Sequence, residues 1–299
     1  MSIYLKILPV ILIFILGYFL KKTKLFDRAD ADLFLKVVFY VASPALILLS
    51  VSSIKLSASL WSLPISAVII ILVSYLIAAA ISHTLKLPRE SLGTFLIACL
   101  IMNVGFLLPF VLAAFGNEGV AKISLFDFAN GLLTFTFVYY LAVKYGQGQT
   151  DKKFIRKKIL ISPPIWALII AITLNLSKVQ ITGLAHDFLQ PLSYLVSPMI
   201  MLSLGIYFQP KLSKFKIPLL VLILRSGLGL LLGLLLASLF HLSGLDRIIL
   251  ILAAAAPVGY NTLTFSSLEK LDQDMAANII SLSLLFSIIF IPILIGLLQ

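Results

Sequence analysis

The sequence predicts an all-α polytopic membrane protein: ten transmembrane helices in two inverted five-helix repeats, with broken helices 4 and 9 crossing. Three observations predict it. The residues are 61% hydrophobic and 12% charged, with a mean hydropathy of +1.13, against about 45–50% apolar and about 25% charged in a soluble domain. Apolar runs long enough to cross a bilayer recur along the 299 residues, and at roughly 30 residues per span and connection about ten fit, with no sizeable soluble domain left over. Two of these runs are interrupted in their middles, at Met102-Asn103-Val104-Gly105-Phe106 and at Ala256-Pro257-Val258-Gly259-Tyr260-Asn261. Backbone freed by Pro or Gly inside lipid persists only beside protein or a water-filled cavity, so paired breaks in corresponding halves point to a substrate site.

In chain order, span 1 covers 3–20 and ends at Lys21, Lys22 and Lys24, without a small-residue cleavage site, as a retained helix does. Span 2 (31–51) carries Ser43-Pro44, and span 3 (61–82) opens with Trp61 and Pro64, residues suited to an interface and a first helical turn. Span 4 (91–115) contains the interruption from Asn103 to Pro109 and closes at Phe115-Gly116-Asn117; span 5 (121–143) holds Asp127 and Asn130. A polar linker from Gly146 through Lys152, Lys153, Arg156, Lys157 and Lys158 then divides the chain into halves, 1–149 and 150–299. Span 6 follows Pro163-Pro164 to 176, span 7 (187–207) carries Ser197-Pro198, span 8 (217–240) holds Arg225, span 9 (246–268) holds the second break, and span 10 covers 275–298.

The net charge of +11 is explained by where the cations fall. Connections after the odd-numbered spans hold 16 Lys and Arg, while the N-terminal segment and the other connections hold five. Excess positive charge marks the cytoplasmic side, which places both termini outside. The run at 152–158 is suited to anionic headgroups, and so short a linker makes no folded basic surface for nucleic acid. The single cysteine, Cys99, excludes a disulfide framework or thiol metal site, and His83, His186 and His241 lack clustered ligand partners, so no metal is expected.

The halves repeat at an offset of 154 residues. Pro9 matches Pro163, Tyr40, Ser43 and Pro44 match Tyr194, Ser197 and Pro198, Pro64 matches Pro218, and Val104-Gly105 matches Val258-Gly259. Five spans per half is odd, so the second half enters the membrane from the opposite side. The breaks can then cross near the midplane, where helix N-termini present amides and partial positive charge and C-termini present carbonyls. An anion can be held there without a buried formal charge.

On these residues the chain resembles the auxin efflux carrier family, which includes plant PIN-type carriers and bacterial malonate-type organic anion transporters. The similarity is carried by Asn103-Val104-Gly105-Phe106-Leu107-Leu108-Pro109, Phe115-Gly116-Asn117-Glu118-Gly119, Phe126-Asp127-Phe128-Ala129-Asn130-Gly131 and Pro257-Val258-Gly259-Tyr260-Asn261, in this order over nearly the whole chain. The resemblance implies a fold like bile acid/sodium symporters and sodium/proton antiporters, an elevator-type movement of spans 3–5 and 8–10 against a scaffold of spans 1, 2, 6 and 7, and a homodimer. One departure stands out. Span 9 has Pro257 where span 4 has Asn103, with Pro109 displaced six residues, so the two crossings are expected to be asymmetric.

The substrate-binding candidates are therefore Asn103, Val104, Gly105, Phe106, Pro257, Val258, Gly259, Tyr260 and Asn261, with Pro109 as a helix break. The two Asn amides can donate to a carboxylate or satisfy freed backbone; Gly105 and Gly259 suit a positive φ or a close helix approach. Asp127 is counted as the acid lying within a span, a costly placement that points to coupling, to an ion pair with Arg225, or to a static polar anchor. Arg225 suits an anionic substrate, Asp127, or helix C-terminal carbonyls. Glu269, Asp272 and Asp274 read as a solvated acidic turn, and the Ser-Pro pairs as kinks in scaffold helices. The function expected is transport of small organic anions across the plasma membrane, either secondary and coupled to protons or sodium or facilitative and downhill, with no cofactor. The alternatives are a sodium-coupled symporter or sodium/proton antiporter of the same fold, and a carboxylate sensor that does not transport; no catalytic constellation suggests an enzyme.

Overall fold

The computed structural model describes residues 3–54, 58–147, 163–208 and 215–299. These are helical throughout apart from their connections: α1 Ile3–Lys22, α2 Arg28–Ser53, α3 Ser62–Ser82, α4 Arg89–Leu100, α5 Val104–Tyr145, α6 Pro163–Leu176, α7 Gly183–Tyr207, α8 Lys216–Leu239, α9 Gly244–Ala254, α10 Asn261–Leu268 and α11 Gln273–Leu298. Among the described residues six helices (α2, α3, α5, α7, α8 and α11) are long and apolar enough to cross a membrane. The linker at 148–162 with its cationic run, Lys55, Lys211 and Lys214 lie outside the described residues.

Local chemistry sets several boundaries. Asp27 and Asp30 form a reciprocal capping box at the start of α2, the Asp27 carboxylate accepting from the N–H groups of Ala29 (2.7 Å) and Asp30 (3.2 Å). The Asp272 side chain caps α11 by accepting from Met275 N (2.9 Å). Within α5, Gly116 takes φ 61° and ψ −154°, turning the chain sharply between 104–115 and 117–145 with no intervening coil. The repeated Ser-Pro pairs sit at matched irregularities: a π turn, Val38–Ala42, precedes Ser43-Pro44 in α2, and α7 is interrupted at Leu195, just before Ser197-Pro198. Two further π turns lie at Thr134–Val138 in α5 and Ile223–Gly227 in α8.

Small residues let helices close on one another, as expected where packing rather than water drives association. A Cβ at Gly17 of α1 would stand 2.3 Å from Leu202 O of α7, and one at Gly205 of α7 would stand 2.1 Å from Phe14 O of α1. α2 packs along α6, and there Asn175 Nδ2 donates to the carbonyls of Val51 (2.8 Å), Ser52 (3.1 Å) and Ile54 (2.6 Å), closing the C-terminal end of α2. α3 and α4 pack on α5, and α8 packs on α9 and α11.

The structure corrects three expectations. Pro109 does not break a helix: the break occupies 101–103, and Pro109 lies buried inside the continuous first part of α5, where its missing N–H leaves the Gly105 carbonyl without its helical donor. Asp127 is not the one acid within a long apolar helix, because Asp32 lies in the second turn of α2. Glu269 does not belong to a solvated turn: it is 2% exposed, pressed between the ends of α10 and α5.

Candidate functional site

α4 ends at Leu100 and α9 at Ala254, and the two interrupted segments that follow meet. They pair antiparallel through an isolated bridge between Met102 and Val258. Asn103 N donates to Pro257 O (2.8 Å) and Gly259 N to Ile101 O (3.0 Å). This is how the freed backbone is satisfied without water: each break supplies the other's partner. A Cβ on Gly259 would stand 2.5 Å from Ile101 Cγ2, so glycine is required for the approach. Gly105 is different. It lacks a positive φ, and a Cβ there would meet nothing closer than Asn103 Oδ1 at 3.6 Å, so neither reason expected for a glycine applies.

Side chains from neighbouring helices fix each break. Asn130 of α5 donates from Nδ2 to Met102 O (3.2 Å), and Ser283 of α11 accepts from Val258 N (2.9 Å) through its hydroxyl. Asn130 Nδ2 also donates to Asp127 Oδ1 (2.8 Å), which ties the carboxylate to the first break. Asp127 is therefore not bound to Arg225 among the described residues. Arg225, fully buried in the π turn of α8, donates from Nε to Ala256 O (3.3 Å) and from Nη2 to Ala254 O. It holds the carbonyl end of α9, where a cation offsets the negative end of the helix dipole. Gly229 permits this, since a Cβ there would stand 2.1 Å from Ala254 O and 2.6 Å from Arg225 Nη2.

The two helices leaving the crossing start differently. Asn103 is the N-cap of α5: its Oδ1 accepts from Phe106 N (3.1 Å), while its Nδ2, in a side chain 8% exposed, has no partner. α10 has no side-chain cap, and Tyr260 and Asn261 stand half-buried at its first turn. Val104 and Phe106 are buried while Gly105 is half-buried. The Tyr260 ring lies 5.8 Å from the Tyr207 ring of α7, and the Tyr207 hydroxyl donates to Asp32 of α2, so this break is in contact with α7. The arrangement brings Asn103, Asp127, Asn130, Pro257, Val258, Gly259 and Tyr260 around one crossing, and Arg225 reaches the same crossing through Ala256 O while also holding Ala254 O at the end of α9. Buried polar atoms without partners gather here: Asn103 Nδ2, Asn130 Oδ1, Arg225 Nη1, Tyr260 Oη and Thr262 Oγ1. A carboxylate facing Asn103 would meet the amide and the free N–H groups of the first turn of α5. Among the described residues no group of three His, Cys, Asp or Glu could hold a metal ion.

A family described as membrane transport protein matches residues 2–295. The chain belongs to this family, the auxin efflux carrier-like group its motifs resemble. It is similar to an uncharacterized transporter of Methanocaldococcus jannaschii, 28% identical over 96% of each chain. It is also similar to an uncharacterized transporter of Methanothermobacter thermautotrophicus, 28% identical over 96% of this chain and 95% of the relative. The breaks thus lie inside the matched region of a membrane transporter.

Ser283 and Tyr207 went unseen in the sequence. Ser283 is one of several serines in an apolar run, and its role depends on which face of α11 meets the second break. Tyr207 and Asp32 are far apart in sequence, and no local spacing joins them.

Proposed function

We propose that this transporter moves small organic anions, carboxylates above all, by alternating access around the crossing of the two breaks. The observation that carries the proposal is the donor set at the start of α5: a buried, unpartnered Asn103 Nδ2 beside a helix N-terminus at an interruption in mid-span. Partial charges and neutral amides suit an anion that must be released again. Ten spans, inverted at the linker, would let α4 with 104–115 and α9 with α10 approach the midplane from opposite sides. Spans 3–5 and 8–10 would then move, elevator-fashion, against spans 1, 2, 6 and 7, breaking the Tyr207–Tyr260 contact as they go. On this reading the protein works as a homodimer in the plasma membrane, the bacterial inner membrane in a bacterial cell, with both termini outside. Asp127 and Asn130 supply the polar group nearest the anion on which a coupling proton or sodium ion would ride.

The test is a thermal-shift screen of purified protein against mono- and dicarboxylates, amino acids and bile acids, with and without sodium and across pH. Stabilisation by one carboxylate class, followed by its uptake into proteoliposomes, is expected. Stabilisation by apolar cations in preference to every anion would refute the proposal, and a sodium requirement would move the protein to the sodium-coupled symporter class.

A further inference from the structure

The two asparagine amides at the first break are oriented in opposite ways by their partners. Asn103 Oδ1 accepts from Phe106 N (3.1 Å), so the oxygen is the capping end and Nδ2 is left over. Asn130 Nδ2 donates to Met102 O (3.2 Å) and to Asp127 Oδ1 (2.8 Å). Turning that amide over would set its oxygen against a carbonyl and a carboxylate, so here Oδ1 is left over. Neither remaining atom has a hydrogen-bond partner, and the side chains are 8% exposed at Asn103 and 4% at Asn130. One buried amide lacks an acceptor, and the other lacks a donor.

Among the described residues the protein does not supply the missing donor. Thr134, one turn further along α5, is 1% exposed, and its hydroxyl forms no bond with the Asn130 amide. The Thr262 hydroxyl of α10 is fully buried and equally without a partner. The two unmet amide atoms belong to one locality, because Met102, whose carbonyl Asn130 holds, directly precedes Asn103. Consecutive Cα atoms are about 3.8 Å apart, a spacing that suits neighbouring groups on one small ligand. A buried acceptor left unpaired is costly, and a ligand that brings a donor removes the cost.

We propose that Asn130 Oδ1 is the specificity-determining acceptor of the crossing, and that the substrate is a carboxylate carrying its own hydrogen-bond donor, a hydroxyl or an ammonium, on the carbon next to the carboxyl group. This rests on the organic-anion reading of the crossing. The carboxylate takes Asn103 Nδ2 and the N–H groups of the first turn of α5, and the donor takes Asn130 Oδ1. A plain carboxylate of the same size satisfies the first and strands the second. Sites that bond a substrate's O–H or N–H reject the analogue lacking it far more strongly than an apolar pocket senses one methylene.

The test is isothermal titration of the full-length protein in detergent and sodium-free buffer with ligands in matched pairs: lactate against propionate, tartronate against malonate, and 3-phenyllactate against 3-phenylpropionate. A hit from the thermal-shift screen outside these pairs is titrated beside its own 2-hydroxy derivative. In each pair that binds, the hydroxy acid should bind roughly 10- to 100-fold more tightly. Its 2-fluoro analogue, close in size and polarity but unable to donate, should bind like the plain carboxylate. The 2-amino analogue names the donor: binding tighter than the hydroxy acid assigns an ammonium and weaker binding a hydroxyl, and both support the shared chemistry. Asn130→Ala should bring the ratio within a pair to about twofold or less, whereas Asn103→Ser, which touches only the carboxylate common to both members, should weaken both and keep the ratio. If Asn130→Ala gives no folded protein, the wild-type pairs, the fluoro analogue and Asn103→Ser decide. Equal affinities within every pair that binds would show that Oδ1 keeps a water beside the substrate and would overturn the inference. So would a fluoro analogue binding as tightly as the hydroxy acid, a ratio retained in Asn130→Ala, or a ratio lost in Asn103→Ser. Each of these leaves the organic-anion reading intact, while failure of every carboxylate to bind the wild type would sink the reading of the crossing itself.

Discussion

Replacing Asn103 by serine separates the capping of α5 from the proposed contact with substrate. Oδ1 caps α5 through Phe106 N at 3.1 Å, and Nδ2 stands buried without a partner. Serine caps a helix about as well as asparagine, whereas alanine costs typically about 1 kcal/mol. Neither replacement can donate from the Nδ2 position. A hydrogen bond to a charged group contributes about 1.5–3 kcal/mol, so loss of the donor should weaken carboxylate binding by roughly 10- to 150-fold. The two variants therefore predict a pattern: Asn103→Ser loses affinity with its unfolding temperature nearly unchanged, and Asn103→Ala loses affinity to the same degree and stability as well. Thermal unfolding in detergent reads the stability, and isothermal titration with the best carboxylate from the screen reads the affinity. Wild-type affinity in Asn103→Ser would show that the amide N–H does not touch substrate, and that the asparagine serves α5 alone.

Three further outcomes are expected. Gly259→Ala should destabilise the protein by about 1–3 kcal/mol, because its methyl would stand 2.5 Å from Ile101 Cγ2 and force the bridge apart, whereas Gly105→Ala, with nothing closer than 3.6 Å, should unfold at the wild-type temperature; equal thermal stability of the two variants would contradict the bridge. Arg225→Met, which removes the donors to Ala254 O and Ala256 O, should lower stability by about 2–4 kcal/mol and leave carboxylate affinity within threefold, since the arginine serves the end of α9; loss of affinity with stability intact would place Arg225 at the substrate. Asp127→Asn should flatten the pH dependence of uptake while exchange persists, and a retained pH dependence would make Asp127 a structural partner of Asn130.

Much of the helical order is legible in the chain because apolar runs of the right length have few other solutions. The interruptions are legible for the complementary reason: Pro and Gly in the middle of such a run leave backbone polar groups that demand partners. That the partners would be each other depends on pairing over long separations, which spacing does not record. The bridge joins residues 102 and 258, two residues off the repeat offset of 154, and the second break runs from 255 to 260 where the first runs from 101 to 103. Pro257 fits this register, which uses only its carbonyl: the bonds across the bridge come from Asn103 N and Gly259 N. Pro109 misled for the opposite reason. A proline in a helix-forming stretch suggests a break, yet six residues past the Asn103 cap the helix absorbs it.

Glu269 shows where sequence position is weakest as a guide. It sits beside Lys270, Asp272 and Asp274 in a stretch that looks like a water-exposed turn, and Lys270 and Asp274 are exposed there. What buries Glu269 alone is the arrival of Gly146 and Tyr139, more than a hundred residues earlier in the chain, at the carbonyl end of a helix only eight residues long. The same short helix starts at the crossing.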